Sequence, residues 1–171
     1  MNRETDLFSQ FYEAYLPSTA GETDYVVNWY RTTQPDVLGT TATLPVPFRL
    51  TSPSPNVPLL SSTPVRVAWT PATFGPRSME LAVTVRCVDA NGSSVTGLDV
   101  LSVDDDGAYT YSVSARLGSA LRAADPTRRC TVSVRARRSG VGSLSPGFTL
   151  GGSLTVRREV TVSGVPLTLE H

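Results

Sequence analysis

The chain has 171 residues, of which 40% are hydrophobic and 18% are charged, a size sufficient for one domain with its own core. Its formal net charge is +0, so there is no surplus of positive charge to attract a phosphate backbone, and we expect no nucleic acid partner. No run of the sequence approaches the roughly 18 apolar residues that a membrane span needs.

The kinds of basic residue exclude several chemistries. The chain contains no lysine, and its one histidine is His171, in a terminal Leu169-Glu170-His171 that is typical of the remainder of a purification tag. Without another histidine, the sequence excludes Ser-His-Asp and Cys-His hydrolysis and histidine-based metal sites, and without lysine it excludes Schiff-base and P-loop chemistry. We predict no catalytic residue, no metal and no cofactor, and therefore no enzyme.

Residues 1–45 predict a hairpin or a small sheet. The segment Asp24–Thr33 is rich in β-branched and aromatic residues, as strands are, and a turn around Gln34–Gly39 leads to a second strand over Thr40–Leu44. Two or three strands cannot bury a core by themselves. Residues 1–45 therefore either pack on the domain that follows or are the remnant of a preceding domain.

Residues 46–168 show the short, regularly spaced strands of a sandwich. Prolines are dense as far as Pro64, which favours an edge strand or a linker there. Alternation then predicts strands over 65–69, 81–87, 95–103, 108–113, 128–138 and 151–162, with one short helix over 115–124. Arg158 falls on the apolar face of the last strand, which indicates a bulge or a buried ion pair. The pattern predicts an all-β fold, an immunoglobulin-like antiparallel β-sandwich with at most one short helix.

The two cysteines lie at inward positions of their strands. Cys87 alternates with Leu81, Val83 and Val85, and Cys130 alternates with three small apolar residues of its own strand. Two side chains that point into one core are well placed to form a disulfide, which implies an oxidising compartment. Two buried free thiols are the alternative. Trp69 precedes both cysteines, whereas immunoglobulin domains have their core tryptophan between the two cysteines. The sequence therefore predicts an immunoglobulin-like architecture but not descent from immunoglobulin domains.

Carboxylates are the remaining candidates for chemistry. Glu80, Asp99 and the run Asp104-Asp105-Asp106 could supply the two carboxyl groups of a glycosidase. The run precedes Gly107, and Asp89-Ala90-Asn91-Gly92 has a similar composition, so each could also bind calcium. Both segments are more typical of solvated turns, and that is our interpretation of them.

Two surfaces are candidate ligand sites. Arg135 and Arg137 alternate outward on their strand and Arg157 follows on the next, so they could bind an anionic glycan. They are more typical of a solvated sheet face. Trp29 and Tyr30 are adjacent on a predicted strand, so one of the two rings faces solvent, where it could form part of a carbohydrate-binding platform. Packing in a core is the alternative for such rings.

A longer motif connects the chain to a family. The stretch ATLPVPFRLTSPSPNVPLLSSTPVRVAWTPA, over 42–72, and the closing LTVRREVTVSG, over 154–164, resemble uncharacterised bacterial lipoproteins whose sandwich domains carry LP-x-PF, a proline and V-x-W-x-P. The resemblance covers about two thirds of the chain and its motif is moderately specific. It implies a location in the cell envelope and a lipid anchor outside this sequence. It implies no activity.

From these observations we expect a non-catalytic structural or interaction domain of a bacterial envelope lipoprotein or secreted protein. The location would be periplasmic, outer-membrane-anchored or extracellular, and the partner an envelope protein or a glycan. We expect a monomer that meets the membrane only through its lipid anchor. A carbohydrate-binding module that uses surface aromatic residues is the alternative, and a carboxylate-dependent glycosidase is a more distant one.

Overall fold

A computed structural model describes residues 2–6, 9–15, 21–73, 78–122, 128–148 and 152–170. Within these residues the regular elements are twelve strands and one helix. In chain order they are β1 (Asn2–Asp6), β2 (Ser9–Glu13), β3 (Asp24–Trp29), β4 (Val37–Thr43), β5 (Arg49–Ser52), β6 (Leu59–Leu60), β7 (Val65–Thr70), β8 (Ser78–Val88), β9 (Ser94–Asp104), β10 (Ala108–Tyr111), β11 (Arg129–Val141) and β12 (Thr155–Thr168). One helix, α1 (Val113–Arg122), connects β10 to β11.

Two sheets form the sandwich. The smaller has the order β10-β7-β5, and the larger has the order β6-β12-β11-β8-β9. Every pair is antiparallel except β6 with β12, which is parallel. In immunoglobulin nomenclature, β5, β7 and β10 correspond to strands A, B and E, and β8, β11 and β12 correspond to C, F and G. The predicted immunoglobulin-like sandwich is confirmed.

The core lies between these two sheets. Strand β7 contributes Val65, Val67 and Trp69 from one side, and alternate residues of β8, β11 and β12 face them from the other. Leu81, Val83 and Ala136 are each no more than 1% exposed. Because side chains alternate between the two faces of a strand, the period-two pattern of the sequence is sufficient to build this layer.

The N-terminal hairpin β3–β4 contacts the end of the sandwich beyond β11. Thr41 and Ser143 exchange two backbone hydrogen bonds, of 3.0 and 2.8 Å. Gly142 lies beside this bridge, where a Cβ atom would come within 2.4 Å of the Thr41 carbonyl oxygen. A residue without a side chain is therefore required for this close approach. The other N-terminal hairpin, β1–β2, is linked to β12, because the Arg157 Nη2 donates to the Glu13 carboxylate at 2.6 Å.

The structure changes three details of the predicted elements. The helix begins at Val113, two residues earlier than expected, and the last strand continues to Thr168. No bulge occurs at Arg158, which pairs in regular register with Arg138, and the irregularity lies instead between Val162 and Val165. Arg158 is half-buried, and its Nε donates to the Pro45 carbonyl at 2.6 Å.

Candidate functional site

The predicted disulfide is present and joins neighbouring strands of one sheet. Cys87 of β8 and Cys130 of β11 are register partners, with a Cα–Cα distance of 4.0 Å. They are 2% and 5% exposed, so the bond is part of the core. In immunoglobulin domains the corresponding bond joins the two sheets through strands B and F. Here it joins the equivalents of C and F, which agrees with an architecture reached without the immunoglobulin cysteine pattern.

A fully buried ion pair closes one end of the core. Arg138 of β11 and Asp105, just after β9, both have side chains that are 0% exposed. The Arg138 Nη2 donates to the Asp105 Oδ1 at 2.9 Å, and Nε lies 2.8 Å from Oδ2 without the alignment of a hydrogen bond. The Trp69 indole donates to Oδ1 at 2.7 Å, and the Thr73 hydroxyl donates to Oδ2 at 2.6 Å. These four side chains, Trp69, Thr73, Asp105 and Arg138, are called the buried cluster below.

The buried cluster also holds two backbone segments through their carbonyl oxygens. Arg138 donates to the carbonyl oxygens of Val46 and Pro71, both at 2.8 Å, and its guanidinium carbon lies 4.9 Å from the centre of the Phe48 ring. The prolines on either side of Val46 have no N–H group, so this segment is poorly suited to pair as a strand. Its carbonyl oxygens accept hydrogen bonds from arginine side chains instead. One arginine thus ties the segment before β5, the end of β7 and the turn after β9 to strand β11.

Asp105 remains ionised in this setting. Burial by itself raises the pKa of a carboxyl group, but the hydrogen bonds from Arg138, Thr73 and Trp69 outweigh it, so the pKa of Asp105 lies below its ordinary value. The interpretation of Asp104-Asp105-Asp106 as solvated turn residues is therefore wrong for Asp105. The sequence contained the signal, because Asp105 continues the inward alternation of Leu101 and Val103, and Arg138 continues that of Val134 and Ala136.

A second polar cluster lies where α1 meets β9. Asp99 accepts a hydrogen bond from the Tyr111 hydroxyl at 3.0 Å and pairs with the Arg116 guanidinium. The hydrogen bond from Arg116 is the main reason that the pKa of Asp99 is lowered. Burial, with the hydrogen bond to Asp99, raises the pKa of Tyr111. The cluster fastens the helix to the edge of the larger sheet.

The three arginines predicted as an anion site share the outward face of the larger sheet. Each lies near a carboxylate: Arg137 is 3.1 Å from Glu80 and 3.2 Å from Glu159, and Arg157 is 2.6 Å from Glu13. Arg135 is the most weakly paired, at 3.9 Å from Glu159, and its side chain is 41% exposed. Of the three, Arg135 has the most charge available for a partner.

A shallow depression opens beside these arginines. It has a volume of about 280 Å³ and is lined by three serines together with the ion pair of Glu80 and Arg137, and by Val100 of β9. Its hydroxyl groups and paired charges are suited to hydrogen bonds with a polar partner. The whole outward face of the larger sheet, including this depression, is formed by the outward residues of β9, β8, β11 and β12 and is called the outer face below.

The structure separates the two predicted aromatic residues. Tyr30 is 76% exposed, whereas Trp29 is half-buried and packs edge-on against Phe148, with ring centres 5.4 Å apart. The prediction that one of the two rings faces solvent is confirmed. Arg31 extends the same cluster, with its guanidinium carbon 5.9 Å from the centre of the Phe148 ring.

The segment that was compared with a calcium loop is a turn in the structure. One oxygen of Asp89 accepts hydrogen bonds from the backbone N–H groups of Asn91 and Ser93, at 3.0 and 2.8 Å, and the other lies 3.5 Å from Arg128. Among the described residues, no three His, Cys, Asp or Glu side chains are grouped as a metal site would require. In the same part of the chain, no helix is long and apolar enough to cross a membrane.

No protein-family model, curated protein or solved structure matches this chain. The likeness to envelope lipoproteins therefore rests on the sequence motif alone.

Proposed function

We propose that this chain is a non-catalytic structural or interaction domain of a bacterial envelope lipoprotein or secreted protein. The observation that carries the proposal is the disulfide between Cys87 and Cys130, which is buried in the core of the sandwich. Disulfides of this kind persist in the periplasm and outside the cell, and they are rare in the cytosol. The resemblance of residues 42–72 to envelope lipoproteins points to the same compartment.

The state of the carboxylates supports a role without catalysis. A glycosidase needs a protonated acid and an ionised carboxylate on either side of its substrate. The pKa values of Asp99 and Asp105 are both lowered, so neither is prepared to act as the acid, and Asp105 is sealed inside the core. Glu80 is held by Arg137 on the open outer face, at 3.1 Å. The strongest polar interactions of the chain thus hold the sandwich together.

The outer face is the surface that we propose for a partner. It combines a shallow polar depression with Arg135, whose side chain is 41% exposed. An acidic glycan or an acidic segment of an envelope protein would complement this arginine. Binding to immobilised acidic polysaccharide is expected to fall in Arg135→Ala and to stay unchanged in Arg49→Ala, which removes an exposed arginine from the smaller sheet. Equal binding by both variants would contradict this placement.

The compartment is tested by the state of the thiols. The chain is exported to a bacterial periplasm, denatured without reduction, alkylated and weighed, and a sample from a reducing cytoplasm serves as the control. We expect no label on Cys87 or Cys130 in the exported chain, and two labels after reduction. Two labels on the exported, unreduced chain would remove the main support for an envelope location.

The exposed ring of Tyr30 favours a second candidate, a carbohydrate-binding module. Aromatic rings bind sugars by stacking, and Tyr30 is 76% exposed beside the half-buried Trp29. If this surface is the site, Tyr30→Ala abolishes retention on a neutral polysaccharide column. Tyr15→Ala, which removes a ring that is 84% exposed elsewhere, leaves retention unchanged. Retention that survives Tyr30→Ala would contradict this candidate.

A further inference from the structure

Strand β9 forms a long unpaired edge of the larger sheet. It has 11 residues and stands last in the strand order, whereas the other edge strands of the sandwich, β5, β6 and β10, have four, two and four residues. An open edge presents a row of N–H and C=O groups that can pair with another strand. Strand β12 is also open over 155–166, because β6 pairs only with its last two residues, but that stretch carries three charged residues and a proline, whereas β9 carries one charge over 94–103.

The register determines which residues of β9 direct their backbone groups outward. Directly opposed residues of antiparallel strands lie about 4.5 Å apart at Cα where they share no hydrogen bonds and about 5.5 Å where they do. The 4.0 Å between Cys87 and Cys130 marks a pair without hydrogen bonds. The backbone of Cys87 therefore forms hydrogen bonds with its β9 partner, Val95. By alternation, the backbone groups of Gly97 and Asp99 also form hydrogen bonds with β8.

The groups left unpaired belong to the alternate residues of β9. These residues are Thr96, Leu98, Val100 and Ser102, and all four are exposed. Leu98 is 61% exposed and Val100 is 50% exposed. Apolar side chains and free backbone groups thus occur at the same positions of this edge.

The edge lacks most of the usual protection against pairing, although α1 is fastened to its inward side through Arg116 and Asp99. Natural edge strands carry charges, prolines or bulges, or are kept short. The register of β9 with β8 is continuous over all 11 residues, and the strand contains no proline. Between Ser94 and Val103 the single charged residue is Asp99, which Arg116 holds on the inward side. A long, unbulged and nearly uncharged edge of this kind indicates a covered surface.

We propose that β9 pairs with β9 of a second copy of this chain, antiparallel and around a two-fold axis at Leu98. Opposed residues of antiparallel strands point to the same face of the sheet. The two-fold axis must therefore pass midway between one residue of β9 and the same residue of the second copy. An axis at Asp99 would place two carboxylates opposite each other. An axis at Leu98 places Asp99 opposite Gly97 of the second copy and lets the two Leu98 residues exchange both backbone hydrogen bonds.

A second copy fits this edge because the pairing closes on itself. Antiparallel pairing of β9 with β9 uses this edge of both chains and yields a dimer with a continuous ten-stranded sheet, five strands from each chain. Thr96 of one copy then faces Val100 of the other on the outer face, and no like charges are opposed. The inference deepens the proposed function by naming a partner, and it replaces the monomer expected from the sequence.

The test is the mass of the oxidised full chain in solution, measured by sedimentation equilibrium from micromolar to millimolar concentration. We expect twice the chain mass of 18.3 kDa. Leu98→Arg places two guanidinium groups on the axis and is expected to return the mass to that of one chain. Val141→Arg is the matched control, since Val141 is 83% exposed on the same outer face at the far end of β11, and it is expected to stay dimeric.

A second variant separates backbone pairing from side-chain contact. Val100→Pro removes an N–H group that faces the free edge and leaves the hydrogen bonds to β8 in place. With its near-ultraviolet circular dichroism unchanged, this variant is expected to be monomeric. A wild-type chain that keeps the mass of one chain at every concentration would overturn the proposal, and so would a dimer that survives both Leu98→Arg and Val100→Pro. Neither result depends on the compartment, so a failure here is distinct from a failure of the thiol experiment.

Discussion

Replacing Asp105 by asparagine tests whether the buried cluster stabilises the sandwich by charge pairing. The change keeps the shape of the side chain but leaves the Arg138 guanidinium, which is 0% exposed, without its counter-charge. Breaking a buried pair from one side costs about 3–5 kcal/mol. The carbonyls of Val46 and Pro71 still accept from Arg138, so we expect a loss of about 3 kcal/mol, at the lower end of that range.

The assay is urea unfolding followed by tryptophan fluorescence, since Trp69 donates to Asp105 directly. With a urea dependence of about 2 kcal/mol per molar, the midpoint is expected to fall by about 1.5 M. Asp104→Asn is the matched control, because Asp104 is exposed, and a surface change of this kind shifts stability by no more than about 0.5 kcal/mol. Equal midpoints for Asp105→Asn and Asp104→Asn would refute the reasoning.

The double variant Asp105→Asn with Arg138→Met completes the cycle. Removing both charges leaves no unpaired ion in the core, so the double variant is expected to be more stable than the sum of the two single losses predicts. If the loss of stability in the double variant equals the sum of the losses in the two single variants, the two residues act independently.

Three further predictions concern the disulfide, the helix anchor and acid. Replacing Cys87 and Cys130 together by alanine is expected to lower the free energy of unfolding by about 4 kcal/mol, the loop-closure value for a sequence separation of 43; an unchanged urea midpoint would contradict it. Tyr111→Phe removes the hydroxyl that donates to Asp99 and is expected to cost about 1 kcal/mol in the same assay, whereas a loss above about 3 kcal/mol would mean that more than one hydrogen bond is lost. The pKa values of Asp99 and Asp105 are lowered on folding, so the stability they contribute is complete above the unfolded value of about 3.9 and is lost as the pH falls from there through the folded values. Calorimetry is expected to show a melting temperature that falls below about pH 4 and falls less steeply in Asp105→Asn, and equal slopes would contradict the assignment.

Much of the fold follows from the alternation of apolar residues. Strands β7, β8, β9 and β11 were predicted from it, and so was the inward direction of both cysteines, because the two faces of a strand differ in their environment. The same rule placed Arg135 and Arg137 outward, where the structure has them. Elements whose ends depend on contacts with other strands, such as β12, were predicted less well.

The candidate site was predicted only in part, for a physical reason. Asp105 lies within the turn-forming run over 104–107 and Arg138 lies in a basic segment, so composition favours solvent for both. Their burial depends on each other and on Trp69, because neither charge could be buried alone. Alternation continues through both positions, and following it to the end of the strand for Arg138 and two residues past the predicted strand for Asp105 would have found the pair.

The amino-acid sequence alone determined the all-β class and the faces of the main strands. It also excluded the chemistries that need lysine or a further histidine. These follow from local period and residue type. Tertiary structure decided which strands are neighbours, and hence that the disulfide lies within one sheet, that Arg138 meets Asp105 and that β9 forms an edge. Those properties depend on pairing between segments that are distant along the chain, and strand alternation carries no information about which partner a strand will choose.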